Sequence, residues 1–143
     1  MLTRDPASAV RVLHGPLHIV DIDSESYRLR REMKAAAVPR DTITLLKTDG
    51  LSVLMIVLNA GASIEDHAAP APITITPLEG ALRFFTEDRG ATIGPGDVVG
   101  CDAGVRHTIE AESDSVFLLH VGPKPGQVPA RTTLAEVPLP PSA

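Results

Sequence analysis

Turn residues divide residues 42–121 into short runs of strand-forming side chains. The Asp-Gly pair at positions 49–50 separates the runs 42–47 and 51–58, and this dipeptide is the strongest short-range signal for a β-hairpin. Residues 73–77 alternate between apolar and polar side chains, as in a strand with one buried face. Because such runs recur at short intervals with turn signals between them, the sequence predicts an all-β sandwich or barrel.

Residues 1–41 are predicted to form an extension that precedes these strands. A strand-forming run covers residues 10–22, and apolar side chains then recur at helical spacing over residues 24–37. Asp23 or Ser24 is expected to cap the N-terminus of this helix, because either side chain can accept a hydrogen bond from a free backbone N–H group. The extension therefore combines one strand with one short helix.

Residues 123–143 differ in composition from the strands that precede them. Six of the chain's 13 prolines lie in this segment. Proline lacks a backbone N–H and favours extended backbone, so we predict an extended, proline-rich C-terminal arm. Such an arm can lie along a neighbouring sheet or subunit.

Composition limits the classes of partner that the protein can bind. A net charge of −5 on 143 residues argues against the basic surface that nucleic-acid phosphates require. One Tyr, three Phe and no Trp are too few aromatic side chains for a base-stacking platform. We therefore expect one small domain that does not bind nucleic acid.

The cellular location is also predicted from composition. Residues 1–10 lack the apolar segment of a secretory signal, and the longest apolar run, residues 53–58, is far shorter than the ~20 residues that cross a bilayer. The single cysteine, Cys101, has no partner for an intrachain disulfide. We therefore expect a cytoplasmic protein that does not insert into a membrane.

The region around His67 resembles the first sequence motif of the cupin family, Gly-x5-His-x-His-x3-Glu-x6-Gly. Gly61, His67 and Gly80 keep the spacing of this motif. Ala69 and Ile73 take the places of its second histidine and its glutamate. The turn glycines and one histidine are therefore kept, and two of the polar side chains are replaced by aliphatic ones.

The region around His107 resembles the second cupin motif, Gly-x5-Pro-x-Gly-x2-His-x3-Asn. Gly96, Gly104 and His107 keep the spacing, whereas Asp102 and Ala111 take the places of the proline and the asparagine. Either motif alone is a weak signal, and the two in this order are a more specific one.

The resemblance covers residues 42–122 and implies a double-stranded β-helix, the RmlC-like cupin or jelly-roll barrel, in a protein that is often a homodimer. It divides the chain into a strand and helix extension (residues 1–41), the cupin barrel (residues 42–122) and a proline-rich arm (residues 123–143). Residues 67–72 are also similar to short type-2 cupins whose first motif reads His-x-Ala-Pro-x-Pro.

In cupins three histidines and one glutamate hold a divalent metal, and the resemblance carries only His67 and His107 over to this chain. Catalytic zinc sites generally use three protein ligands, and non-haem iron sites use two histidines and a carboxylate. A third ligand is therefore required, and Glu65, Asp102 and His120 are the candidates. We expect either no cofactor or a weakly bound divalent metal at this degenerate site.

Replacement of the cupin glutamate by Ile73 makes one wall of the barrel apolar. The neighbouring inward positions are expected to be Ile75, Leu82 and Phe84. We therefore predict an apolar ligand pocket that also contains the two imidazoles. Cys101 is expected to be a small hydrophobic side chain outside this pocket, not a nucleophile.

Three functions fit these observations. The first is a barrel that binds a small molecule and is metal-free or weakly metallated. The alternative is a metal-dependent enzyme, such as a dioxygenase or isomerase, that uses His67, His107 and a third ligand. The third is a sensor or assembly module in which a ligand changes subunit packing. The sequence selects neither a substrate nor catalytic residues.

Overall fold

The computed structural model describes residues 17–126, together with every side chain in that range except that of Asp66. In this part of the chain one helix, α1 (Ile22–Ala36), precedes nine strands. The strands are β1 (Arg40–Thr48), β2 (Leu51–Leu58), β3 (Ser63–His67), β4 (Ile73–Glu79), β5 (Leu82–Phe85), β6 (Gly90–Ile93), β7 (Val99–Cys101), β8 (His107–Ala111) and β9 (Ser115–Val121).

The strands form two antiparallel sheets that face each other. The five-stranded sheet has the order β1-β2-β9-β4-β7, and the four-stranded sheet has the order β3-β8-β5-β6. Buried apolar side chains from both sheets meet between them and form the inner cluster. Its members are Ile56, Leu58, Ile73, Ile75, Leu82, Ile93, Ile109, Ala111 and Phe117. The predicted all-β barrel is therefore confirmed.

A second buried cluster lies on the outer face of the five-stranded sheet, where α1 packs. Leu29 and Met33 of α1 are its helical members. The strands contribute Ile43, Leu45, Val53, Met55, Val57 and Val116 to this helix-side cluster. Strand β2 is buried on both faces, which explains why its sequence is a continuous apolar run instead of an alternating one.

The position of α1 differs from the prediction at its N-terminus. The helix begins at Ile22, and its N-cap is Asp21 instead of Asp23 or Ser24. The Asp21 carboxylate accepts hydrogen bonds from the backbone N–H of Ser24 and from its hydroxyl, at 3.1 and 3.0 Å. These bonds hold the pKa of the Asp21 carboxyl below its usual value.

The strand predicted over residues 10–22 is wrong where the structure describes it. Residues 17–21 carry no strand, and Ile22 is already helical. The cap at Asp21 starts the helix there and ends the extended segment. The rest of that run, residues 10–16, lies outside the described residues. Of the predicted arm, residues 123–126 are described and carry no strand, with a turn at 125–126, and the remainder lies outside the described residues. No helix in residues 17–126 is long and apolar enough to span a membrane.

The turn predicted at 49–50 is confirmed, and a second tight turn precedes β7. The pair at 49–50 joins β1 to β2, and Gly50 has φ +80°, which is the conformation that favours glycine in hairpin turns. In the turn before β7, the Asp97 N–H donates to the carbonyl of Gly94 at 3.0 Å, and Gly96 has φ +101°. This geometry is a type II turn, which Pro95 at its second position and Gly96 at its third favour.

Candidate functional site

His67 and His107 meet inside the barrel. They are paired residues on the neighbouring strands β3 and β8. Their ring centroids are 5.6 Å apart and the ring planes are nearly perpendicular, at 85°. His107 is buried, with 3% of its surface exposed, whereas His67 is exposed. One imidazole is therefore held within the barrel and the other lies at its edge.

A β-bulge in β3 brings His67 to this position. Ile64 is paired with Ile109, and His67 is paired with His107. Two residues of β3 therefore stand opposite one residue of β8, Thr108, which is the definition of a bulge. Because the extra residue shifts the alternation of side chains, Ile64 and His67 point to the same side although they are three positions apart.

The bulge also separates Glu65 from the histidines. Glu65 is exposed, and its carboxylate accepts a hydrogen bond from the hydroxyl of Ser63 at 3.3 Å. Ser63 is paired with Glu110, whose carboxylate contacts Arg83 on the outer face of the sheet. The structure thus places Glu65 on the outer face, so the bulged strand does not bring this candidate third ligand to His67.

His120 also points away from the pair. Along β9, Phe117, Leu119 and Val121 pack against the inner cluster, so the alternation turns His120 to the opposite face. There it is paired with Val53, a member of the helix-side cluster, and its Nδ1 is buried without a hydrogen-bond partner. The register therefore does not bring His120 to the other two histidines.

Hydrogen bonding assigns the proton on His107. Its Nδ1 lies 3.0 Å from the carbonyl oxygen of Val105. A carbonyl only accepts hydrogen bonds, so Nδ1 carries a proton, and in the neutral form of the ring Nε2 is the atom that carries the lone pair. The ring also stacks on Phe84, with centroids 5.3 Å apart and an interplanar angle of 22°. Tautomer and ring orientation are thus both fixed.

Cys101 lies beside His107 but is not activated by it. Its Sγ is 4.0 Å from His107 Nδ1, and that nitrogen already directs its proton at Val105. Burial raises the pKa of the Cys101 thiol, and the nearby Asp102 carboxylate raises it further. Because the thiolate is the reactive form, a raised pKa makes the thiol a weaker nucleophile at a given pH. The position of Cys101 beside His107 and against the inner cluster contradicts the expectation that it lies outside the pocket.

The predicted pocket side chains divide into two groups. Ile75 and Leu82 are fully buried in the inner cluster. Ile73 is buried and is paired with Cys101, whereas Phe84 is half-buried and stacks on an imidazole. Ala69, at the place of the second cupin histidine, is half-buried against the inner cluster. The walls nearest the histidines are therefore apolar.

A cavity of about 480 Å³ lies at the same end of the barrel, between the β1–β2 hairpin and the segment after β9. Val121, Lys47 and Lys124 are among its lining residues. Val121 and Cys101 are both paired with Ile73 on β4, from opposite sides. The cavity is thus two strands away from the thiol that lies beside the buried histidine.

Comparisons with known proteins bear on the fold. No model of a protein family and no curated protein matches the chain. Among solved structures, the chain is similar to a cupin superfamily protein from Desulfitobacterium hafniense, with a TM-score of 0.57 and 16% identity, over 59% of this chain and 78% of that one. It is also similar to an RmlC-like cupin with a double-stranded β-helix fold from Methanocaldococcus jannaschii, with a TM-score of 0.55 and 19% identity, over 62% and 84% of the two chains.

A third similar structure is the DMSP lyase DddQ from Ruegeria pomeroyi, with a TM-score of 0.57 and 20% identity, over 68% of this chain and 51% of that one. At such identities a match shows a shared fold and carries no activity to this chain. The two facing antiparallel sheets agree with the fold of these structures. The two sheets formed by β1 to β9 therefore have the cupin fold, a double-stranded β-helix.

Proposed function

We propose that the histidine end of the barrel binds a small molecule directly, without a resident metal. The observation that carries this proposal is the fixed lone pair on His107 Nε2, which follows from the bond between Nδ1 and Val105. Apolar side chains, Ala69 and Ile73, occupy the places where the cupin resemblance would put two metal ligands. A single oriented acceptor beside apolar walls is typical of small-molecule sites.

The donor atoms at the site do not fit the cupin metal cage. Ala69 and Ile73 have no donor atoms, and Glu65 and His120 lie on outer faces. Among the side chains that the structure describes, no group of three His, Cys, Asp or Glu could hold a metal ion. The proposed function therefore contains no metal-dependent step.

The site chemistry defines the class of ligand. The lone pair on His107 Nε2 can accept a hydrogen bond from a hydroxyl or N–H group of a ligand, and such a bond contributes about 1 kcal/mol net. The apolar walls and Phe84 favour a hydrocarbon or aromatic body. We therefore expect a small, mostly apolar alcohol, phenol or amine, whose donor group meets Nε2.

A thermal-shift screen of such alcohols, phenols and amines tests the proposal. A ligand present at about 100 times its Kd stabilises the folded state by about 2.7 kcal/mol, which raises Tm by on the order of 10 °C for a chain of this size. His107→Phe keeps an aromatic ring against Phe84 and removes Nε2, so the shift should disappear. His120→Phe makes the same exchange on the outer face and should keep it. A shift that persists in His107→Phe would contradict the proposal.

A metal-dependent enzyme, such as a dioxygenase or isomerase, is the alternative function. The contact between the two imidazoles, 5.6 Å between centroids, is the observation in its favour. Metal analysis of protein purified without added metal separates the two functions. A stoichiometric divalent metal that is lost in both His67→Ala and His107→Ala would support the enzyme and overturn the metal-free proposal.

A further inference from the structure

The exposed face of α1 and the segment before it form an apolar surface far from the histidines. Leu17, Ile19 and Tyr27 are 74%, 84% and 67% exposed. A groove of about 650 Å³ runs beside them, and its lining includes Ile19, Tyr27 and Ala35. Large apolar side chains that cluster at this exposure mark an interaction surface more often than a solvated one.

Charge along α1 changes sign from one end to the other. Asp21 caps the helix, and Asp23 and Glu25 lie in the first turn. Basic side chains predominate in the second half, where Arg28, Arg30, Arg31 and Lys34 outnumber the single acid, Glu32. Glu25 is buried, so Asp21 and Asp23 make the start of the exposed face acidic, and its end is predominantly basic, with Tyr27 between the two halves.

Part of this charge is already paired within the protomer. Arg30 pairs with Glu79 of β4, and Arg28 pairs with Glu25 at 3.0 Å. Arg31 lies over the Tyr27 ring, 5.8 Å from its centroid. At 3.6 residues per turn, Asp23, Tyr27 and Arg31 follow one another along one face of the helix. This face presents an acid, an aromatic ring and a base in that order.

We propose that this surface, the α1 face, binds a second copy of the chain, with the two α1 helices antiparallel about a two-fold axis at Tyr27. In that arrangement residues at equal distances from Tyr27 meet, so Asp23 of each copy faces Arg31 of the other. The two exposed rings lie together at the axis. The apolar segment at Ile19 extends toward Ala35 of the second copy, at the far end of the groove.

Charge complementarity selects a second copy over other partners. A uniformly acidic or basic partner would match one half of the α1 face and be repelled by the other. An antiparallel copy matches both halves and also sets the helix dipoles in opposite directions. The expected homodimer thus acquires a defined surface, and this surface is independent of the proposed ligand site.

The size of the surface sets the expected affinity. Stable interfaces bury about 800 Å² on each partner. A 15-residue helix is about 22 Å long, so the helix pair with its flanking segments is a small interface. We therefore expect a dimer that dissociates on dilution.

A charge-swap cycle on the full chain tests the proposal by sedimentation velocity and light scattering over a dilution series. Arg31→Asp and Asp23→Arg each place like charges together at two symmetric contacts, so each should raise the dimer Kd by at least ~10-fold. The double variant restores opposite charges and should return Kd to within about threefold of the wild type. Tyr27→Asp should also weaken the dimer.

A matched control is Arg89→Asp, which makes the same charge change in the exposed β5–β6 turn and should leave Kd unchanged. Circular dichroism checks that α1 is intact in each variant. A wild-type chain that is monomeric at every concentration overturns the proposal. This holds also if the reason is that residues outside 17–126 of the same chain occupy the groove. A dimer that Tyr27→Asp and Arg31→Asp leave intact, or that the double variant fails to restore, overturns it equally.

Discussion

The two ends of the barrel are built by the same strands but differ in packing. At the sealed end Leu58, Leu82 and Phe117 are fully buried. At the histidine end the inward side chains of the same strands are only half-buried, as for Phe84 on β5 and Leu119 on β9. Burial of the inward side chains therefore falls along β2, β5 and β9 from one end of the barrel to the other, while the alternation of side chains does not change.

This difference separates stability from binding. A fully buried apolar side chain contributes its whole transfer free energy, and its removal leaves a cavity. A half-buried one contributes less and leaves surface that a ligand can cover. The sealed end is thus expected to carry most of the folding free energy, and the histidine end to be the part where substitutions change binding with a smaller cost in stability.

The largest expected effect comes from a matched pair of truncations on β9. Phe117→Ala should lower the free energy of unfolding by about 3–5 kcal/mol, because the ring is fully buried. Leu119→Ala, two residues along the same face, should cost roughly 1–2 kcal/mol, because its side chain is half-buried. Urea unfolding measures both values. Equal losses would remove the distinction between the two ends.

A second pair compares glycines with the same backbone conformation. Gly80, at the sealed end, has φ +80°, and a Cβ there would lie 2.3 Å from the carbonyl oxygen of Asp114. Gly104, beside the histidines, has φ +81° and no atom within 4 Å of such a Cβ. Gly104→Ala should cost about 1–2 kcal/mol from the left-handed backbone alone, and Gly80→Ala about 3 kcal/mol because a backbone clash is added.

Thermal unfolding checks this second pair. If Gly104→Ala destabilises the protein as much as Gly80→Ala, the loop beside His107 is packed more closely than its surroundings imply. The histidine end would then not differ from the sealed end in how closely it is packed.

The smallest expected effect concerns the chemistry of Cys101. Burial and Asp102 raise the pKa of its thiol, so the thiolate fraction at a given pH is lower in the folded chain than in the unfolded one. The buried neutral thiol therefore contributes to the stability of the folded state at pH values below the unfolded pKa. This contribution is lost as the pH rises through the raised pKa of the folded state. Cys101 is the chain's single cysteine, so alkylation by iodoacetamide reports on it alone.

The alkylation rate should reach its midpoint at a higher pH in the native protein than in urea. The same midpoint in both states would show that the thiol is fully solvated. In that case the wall beside His107 would be more open than the burial of Ile73 implies.

Much of the fold was predictable because its signals are local. The hairpin at 49–50 depends on two adjacent residues, and the alternation over 73–77 on a single strand. The N-cap of α1 was not predictable, because Asp21, Asp23 and Ser24 are all good caps and only the backbone conformation decides among them. The prediction was therefore better for the type of each element than for its end.

The convergence of His67 and His107 was predictable from the resemblance to the two cupin motifs, but the positions of the candidate third ligands were not. The sequence of β9 is apolar on both faces, so it does not show which way His120 points. Likewise the side of Glu65 depends on the bulge, which exists only in relation to the paired strand β8. The face to which His120 points and the face to which Glu65 points are both set by the pairing between strands, not by the sequence of one strand alone.

The bulge in β3 sets which residue of this strand lies opposite His107 in the barrel wall. If the same sequence paired with β8 without it, the position opposite His107 would pass from His67 to Asp66, one residue earlier. A histidine pair would become a histidine and a carboxylate, with the rest of the scaffold unchanged. A one-residue change of register at this point, with no residue deleted, is thus a route by which a barrel of this kind can exchange the chemistry of its pocket without rebuilding its core.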